Sequence, residues 1–129
     1  MTPEGLIIVA SHHGPKETAD RLATAIAAHG MQVMARIDHQ QGAEAAGLEM
    51  KAAQVLIFGN ARAGTQLMQG APTLALDLPL KALVFEDAQG HTCVAYNDPH
   101  WLGARHGAAG PQIEAMTSAL ASVIAEACA

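Results

Sequence analysis

The chain contains five short strand-like runs but only two long amphipathic helices, and this ratio constrains the fold more than any other feature of the sequence. The runs are Leu6–Ala10, Gln32–Asp38, Val55–Phe58, Leu80–Glu86 and Thr92–Tyr96. Two long helices are too few to cover both faces of a doubly wound parallel sheet. The sequence therefore predicts an α+β fold in which two main helices pack on a mainly antiparallel five-stranded sheet.

The two predicted long helices have clear start signals and apolar stripes. Proline is favoured in the first helical turn, so we expect one helix to run from Pro15 to Ala28 and the last helix to begin at Pro111. The stripe of the last helix, at spacings of three and four residues, is Ile113, Met116, Leu120, Ile124 and Ala127. We expect this stripe to be buried against the sheet, with Glu114 and Glu126 exposed.

The strand-like runs Leu80–Glu86 and Thr92–Tyr96 are separated by only five residues, among them Gly90. Glycine adopts positive φ without steric cost, which allows the chain to reverse direction over a short turn. These two runs are therefore predicted to form an antiparallel hairpin.

Two segments are predicted to be short helices. Residues Ala43–Lys51 have helical composition interrupted by Gly47, and Gly64–Gly70 is at most a short helix. The preceding loop, Gly59–Thr65, has the glycine spacing of a phosphate-binding loop but lacks the lysine that holds the β and γ phosphates. A structural turn between strand and helix is therefore the default interpretation of that loop.

Length and composition predict one domain over residues 1–129. No apolar run approaches the ~20 residues that a membrane-spanning helix requires, so no membrane association is expected. The first residues lack the basic region and the apolar length of a secretory signal, which favours a cytoplasmic protein. Cys93 and Cys128 form no CxxC motif and are predicted to be free thiols.

Charge and histidine spacing argue against two classes of partner. Seven lysines and arginines face twelve acidic residues, and the basic residues are scattered, so a nucleic-acid partner is not expected. The seven histidines show no HExxH motif and no i, i+4 pair on a helix. We therefore expect no metal site and no cofactor, and we interpret the internal methionines as core residues.

Side chains capable of chemistry are densest between Tyr96 and Gly107. If the protein uses a general acid or base, the candidates are His106 or His39, with Asp98, Asp77 or Glu86 nearby. Asparagine, aspartate and proline in this pattern are also typical of turns and helix starts. No Gly-x-Ser-x-Gly nucleophile motif is present.

A series of motifs in a fixed order gives the chain a family resemblance. The motifs are Phe58-Gly-Asn60, Ala63-Gly-Thr65, Leu67-Met-Gln69, Ala75-Leu-Asp-Leu-Pro-Leu-Lys81, Phe85-Glu-Asp87, Tyr96-Asn-Asp-Pro99 and Arg105-His-Gly107. Together they resemble the family called domain of unknown function 302. The resemblance implies a TBP-like fold of the order β-α-β4-α, with a curved antiparallel sheet, a long C-terminal helix and a frequent dimeric state. The paired histidines of Ser11-His-His-Gly-Pro15 depart from the family pattern.

The resemblance implies architecture and positions but no reaction. The leading hypothesis is a homodimeric small-ligand-binding or sensing module without catalysis, whose groove between sheet and helix is lined by the loops after Phe58 and Tyr96. The candidate ligand-binding residues are His39, Asn60, Thr65, Asp77, Asn97, Asp98 and His106. The alternative is an enzyme that acts on a small polar or anionic metabolite with a histidine acid or base. Metal handling by histidine and methionine is a third possibility.

The convergence of these candidates depends on strand direction. If the strands ending near Phe58 and Tyr96 run the same way in one sheet, Asn60, Thr65, Asn97 and Asp98 are expected to line one rim, with His106 returning to it. If the strands are antiparallel neighbours, their loops lie at opposite ends of the sheet and share no site.

Overall fold

The computed structural model describes residues 2–129, and its strands and helices alternate along most of the chain. The strands are β1 Leu6–Ala10, β2 Gln32–Asp38, β3 Ala53–Gly59, β4 Leu80–Glu86 and β5 Thr92–Asn97. The α-helices are α1 Pro15–Ala28, α2 His39–Ala45, α3 Ala61–Gly70, α4 Pro99–Arg105 and α5 Pro111–Cys128, and a 3-10 helix spans Pro72–Leu76.

The five strands form one sheet in the order β1-β5-β4-β3-β2, and every neighbouring pair is antiparallel. This confirms the predicted α+β class with an antiparallel five-stranded sheet. The predicted hairpin is also confirmed, with Ala82 opposite Tyr96 and Glu86 opposite Thr92. Gly90 has φ of 83° at the turn, and Asp87 Oδ1 accepts hydrogen bonds from two backbone amides of the same turn.

The main core lies between one face of the sheet and the two long helices, α1 and α5. Its largest fully buried side chains come from β3, β4, β5, α1 and α5: Leu22, Ile26, Leu56, Phe58, Val84, Val94, Leu120, Val123 and Ile124. The α5 stripe is buried as predicted at Ile113, Leu120 and Ile124, whereas Met116 is half-buried. Glu114 and Glu126 are exposed.

The C-terminal end of α5 is tied to α1 by Arg21. Its Nε donates to the Ala127 carbonyl oxygen at 3.0 Å and its NH2 to that of Glu126 at 2.9 Å. The last carbonyl groups of a helix lack hydrogen-bond donors within the helix, and here the guanidinium of Arg21 provides those donors. The two helices are thus held together by polar contacts as well as by the core.

The opposite face of the sheet is apolar and neither long helix packs on it. Side chains alternate between the faces of a strand, and the strand register places Ile37, Val55, Leu83, Ala95 and Ile8 in one row across that face. The isoleucines at the two ends of this row, which we call the open row, are each 44% exposed.

The short helices differ from the sequence prediction in position and number. Helix α2 begins at His39 rather than Ala43, because Asp38 Oδ1 accepts a hydrogen bond from Gln41 N at 2.9 Å and caps the helix directly after β2. Helix α3 begins at Ala61 rather than Gly64, because Asn60 provides a similar cap.

Of helix α4, only the start was indicated by the sequence, where Asn97-Asp-Pro99 is typical of a turn or a helix start. The helix has only seven residues, and it begins where Asp98 Oδ1 accepts a hydrogen bond from His100 N at 3.0 Å. Trp101 packs against Gly5 so closely that a Cβ there would lie 2.3 Å from the ring, and Leu102 enters the main core. These tertiary contacts stabilise a helix that is too short to form alone.

None of the helices in the described part of the chain combines the length and the apolar character needed to cross a bilayer.

Truncation of a core leucine is expected to destabilise the fold much more than truncation of an exposed one. Leu120→Ala should lower the free energy of unfolding by about 2–5 kcal/mol, because it leaves a cavity between α5 and the sheet. Leu76→Ala, at a side chain that is 74% exposed, is the matched control and should change it by less than about 0.5 kcal/mol. Urea denaturation of both variants measures the difference, and equal losses would contradict the described core.

Candidate functional site

Strands β3 and β5 point in the same direction, because each is antiparallel to β4, which lies between them. Their C-terminal ends therefore lie at the same end of the sheet, the condition under which the two polar loops were expected to converge. The loops nevertheless lead to different helices: Asn60 caps α3, and Asp98 caps α4. Two separate candidate sites result.

The first site is a groove of about 460 Å³ between α3, α5 and the sheet end formed by β2, β3 and β4. Four methionines line it, namely Met31, Met34, Met68 and Met116. Leucine and alanine side chains supply most of the remaining wall, and the polar residues at the groove are His29, Asn60, Thr65 and Gln112. We call this space the methionine groove.

A bulge in β2 accounts for the position of Met34. Val33 lies opposite Phe58 and Ala35 opposite Ile57, so Met34 is an extra residue in the register. A bulge of this kind redirects a side chain relative to its neighbours. Met34 interrupts the alternating pattern of the sequence for this reason, and it remains 48% exposed at the groove.

Helix α3 forms the outer wall of the groove and is attached to the rest of the molecule through few contacts. Asn60 Oδ1 accepts hydrogen bonds from the backbone amides of Arg62 and Ala63 at 3.0 and 3.2 Å, so this side-chain oxygen caps the N-terminus of α3. The buried side chain of α3 is Leu67. It belongs to a second apolar cluster, separate from the main core, with Ala71, Leu74 and Ile113.

The second site is a chain of hydrogen bonds centred on His106. His106 Nε2 lies 2.5 Å from Asp77 Oδ2, and His106 Nδ1 lies 2.8 Å from Thr73 Oγ1. Arg105 NH1 donates to the same Asp77 oxygen at 2.9 Å. The imidazole is 7% exposed and the Asp77 side chain 19% exposed, whereas Thr73 is at the surface.

The partners determine which ring nitrogen carries the proton. A carboxylate can only accept, so His106 Nε2–H donates to Asp77, and in the neutral imidazole Nδ1 is free to accept the hydroxyl proton of Thr73. The hydrogen bond from His106 is the largest cause that lowers the pKa of Asp77, and the charge of Arg105 lowers it further against the opposing effect of burial. Asp77 is therefore ionised at neutral pH.

Two local features hold this second site together. Asp77 is the C-cap of the 3-10 helix that carries Thr73, so one short element supplies both partners of the imidazole. His106 is the C-cap of α4, and the chain turns back directly after it, where Ala108 N donates to the Gly103 carbonyl oxygen at 2.7 Å. A Cβ at Gly103 would lie 2.6 Å from the Ala108 oxygen, so the turn requires glycine there.

The predicted candidates are thus divided among four places. Asn60 and Thr65 lie at the methionine groove, and Asp77 and His106 bond to each other. Asn97 is exposed at the end of β5, and Asp98 caps α4. His39 begins α2 at the opposite end of the sheet from Asn60, since β2 and β3 are antiparallel.

The sequence pattern does not reveal that four methionines line a groove, or that Thr73 bonds to His106. The methionines were interpreted as core residues, and only Met34 gave a signal, because it interrupts the alternation of β2. Thr73 gave none. Within residues 2–129, no group of three or more histidine, cysteine and carboxylate side chains is placed to hold a metal ion.

The Asp77 pair predicts a specific dependence of stability on pH. The pKa of Asp77 is lower in the folded protein than its ordinary value of 3.8, so its stabilising contribution is complete well above 3.8 and is lost as pH falls through the folded-state value. The stability difference between the parent and Asp77→Asn should therefore shrink as pH falls from about 5 to about 2.

Urea denaturation at each pH measures this difference, and Glu49→Gln, at an exposed carboxylate, controls for the loss of one negative charge. A difference between parent and Asp77→Asn that is unchanged down to about pH 2 would contradict the described pair.

Comparison with known proteins agrees with the fold. The crystal structure of the uncharacterized conserved protein DUF302 from Bacillus stearothermophilus superposes with a TM-score of 0.86 at 18% sequence identity, covering 98% of this chain and 100% of that one. At this identity the likeness shows the architecture alone.

Curated relatives match over part of their length. The protein named fluoride-specific ion channel FluC 1 from Brucella suis biovar 1 (strain 1330) is 45% identical over 102 residues, which are 79% of this chain and 40% of that protein. The protein named fluoride-specific ion channel FluC 2 from Brucella melitensis biotype 1 has the same identity over 38% of its length. This chain thus spans about two fifths of the relatives that it matches.

The family model described as domain of unknown function DUF302 matches residues 7–127, almost the whole of the described fold. The motifs, the strand order and this match agree, and the chain belongs to the DUF302 family.

Proposed function

We propose that this chain is a homodimeric small-ligand-binding module whose ligand occupies the methionine groove. The observation that carries the proposal is the groove itself, about 460 Å³ with a predominantly apolar wall and a few polar side chains. Small-molecule sites in proteins are typically ~300–1,000 Å³ and have this composition.

The lining indicates an apolar ligand with one polar group. Methionine is unbranched and polarizable, so the four groove methionines adapt to ligands of different shape and contact aromatic rings favourably. Thr65 and Gln112 offer hydrogen bonds at the groove, and Gln112 Nε2 already donates to Gln66 Oε1 of α3 at 3.0 Å. A small hydrated anion such as fluoride would find few donors along these walls.

The attachment of α3 suits a sensing role. Because its buried anchor is Leu67, α3 can adjust its position against α5 with little loss of core packing. A ligand between α3 and α5 would add contacts to a wall that has few of its own. Binding would therefore change the position or order of α3, which is a signal that a partner could recognise.

Methionine methyl groups provide a direct test of ligand binding. In protein labelled with methyl-13C methionine, a neutral aromatic ligand should shift the signals of Met31, Met34, Met68 and Met116. Met50, 44% exposed and outside the groove, should not shift. The screening panel contains neutral aromatic and aliphatic fragments, inorganic phosphate and sodium fluoride. The proposal would be contradicted if the Met50 signal shifted as much as those of the groove methionines. It would also be contradicted if no compound in the panel shifted the signal of a groove methionine.

A matched pair of variants separates groove binding from general surface binding. Ala115→Phe fills the groove from α5 and should weaken binding of a fragment at least about tenfold, whereas Ala121→Phe, exposed on the same helix outside the groove, should leave the dissociation constant unchanged. Equal affinity in both variants and the parent would place the ligand elsewhere.

A second copy of the chain is the proposed cover of the open row. Two isoleucines of that row remain 44% exposed, and Leu83 and Val55 lie between them. Within residues 2–129, the strands place one charged side chain on this face, that of Lys81. An apolar face with a single charged residue can pair with its own copy around a two-fold axis with little repulsion between like charges.

Light scattering tests the dimer. The parent at micromolar concentration should have twice the chain mass of 13.3 kDa, and Leu83→Glu, which places a charge in the open row, should have the single-chain mass. Leu76→Glu, at an exposed leucine outside the sheet, is the control and should remain dimeric. A parent mass near 13.3 kDa would refute dimerisation through this face.

A second candidate function is acid–base catalysis by His106 on a small polar substrate. The observation that favours it is the hydrogen bond between a nearly buried imidazole and an ionised carboxylate, the arrangement that orients a catalytic histidine.

For either function we propose the cytoplasm as the compartment, because both cysteines are buried free thiols, as is usual in a reducing environment.

A further inference from the structure

The hydrogen bonds around His106 connect three functional groups in a definite order. The order is carboxylate of Asp77, imidazole of His106 and hydroxyl of Thr73, joined by distances of 2.5 and 2.8 Å. A nucleophile bonded to a base that is itself oriented by a third group is the geometric signature of nucleophilic catalysis. From this geometry we propose that Thr73 is a nucleophile that hydrolyses esters, with His106 as its general base and Asp77 as the positioning residue.

The environment of each group fits its role. Thr73 is at the surface, where a substrate can reach its hydroxyl, while the imidazole behind it is 7% exposed and thus shielded from water. Asp77 stays ionised because His106 and Arg105 both lower its pKa. An ionised Asp77 keeps the proton on Nε2 and so leaves the lone pair of Nδ1 facing Thr73, and it stabilises the imidazolium that forms during the reaction.

The surface beside Thr73 indicates the substrate class. Side chains at i and i+3 of a 3-10 helix lie on the same side, which places Leu76 beside Thr73. Leu76 is 74% exposed, the most exposed of the large apolar side chains in the described chain. One exposed leucine next to the hydroxyl favours an ester with a short apolar acyl group.

The reaction balances without any group beyond ester and water. Thr73 Oγ1 attacks the ester carbonyl carbon while its proton passes to His106 Nδ1. The carbon–oxygen bond to the alcohol then breaks, and the departing alkoxide takes the proton from Nδ1. Water attacks the acyl-threonine, gives one proton to Nδ1 and releases the acid, and that proton returns to Thr73 Oγ1. The overall reaction converts the ester and one water molecule into an acid and an alcohol.

The test uses the whole protein with p-nitrophenyl acetate and p-nitrophenyl butyrate. The parent should release nitrophenolate in excess over the protein, and peptide mass mapping after acid quench should find the acyl group on Thr73. Thr73→Ala and His106→Gln should each lower the rate about 100-fold or more, whereas Thr73→Ser, which retains a hydroxyl, should stay active. The controls are Thr24→Ala and His12→Gln, both at exposed residues away from the site.

The outcomes separate this inference from the acid–base function on which it rests. Loss of activity in His106→Gln with full activity in Thr73→Ala would overturn the nucleophile and leave His106 as an acid or base acting directly on the substrate. Parental rates in both variants, or no turnover by the parent, would overturn both. Thermal unfolding of each variant shows whether it is folded, and the acyl adduct on Thr73 is a signal that a merely structural hydrogen bond cannot produce.

Discussion

The packing of α1 and α5 on the same face of the antiparallel sheet is the contact on which the rest of the structure depends. Leu22 and Ile26 of α1 and Leu120 and Ile124 of α5 meet the sheet there, and each is essentially removed from water. Burial of such side chains contributes roughly 1.5–3 kcal/mol each. With both long helices on one side, neither of them covers the other face of the sheet, where Ile8 and Ile37 stay exposed.

The same packing leaves room for the methionine groove. The N-terminal half of α5 lines the groove, and no residue of α1 within Pro15–Ala28 takes part. The space next to α5 is closed instead by α3, which is anchored by Leu67. Flexible methionines at this place reduce the cost of an incompletely filled space, because they can pack in several rotamers.

Short polar side chains of this protein serve two different purposes, and their hydrogen-bond partners distinguish them. Asp38, Asn60 and Asp98 each accept hydrogen bonds from backbone amides two or three residues further on, so they shape helix starts. Asp77 instead bonds side chains of Arg105 and His106, 28 and 29 residues away. A carboxylate that orders distant side chains is a better functional candidate than one that caps its own helix.

The strands, both long helices and the β4–β5 hairpin were determined by the sequence itself, because their signals are local: apolar periodicity, proline at a helix start and glycine at a turn. The family motifs also identified Asp77 and His106 as candidates. Tertiary structure alone decided that β4 separates the ends of β3 and β5, so that Asn60 and Asp98 lie in different places. It also brought Thr73 within hydrogen-bond distance of His106, 33 residues away. Such contacts depend on how elements pack, and a surface threonine has no local pattern that reveals its partner.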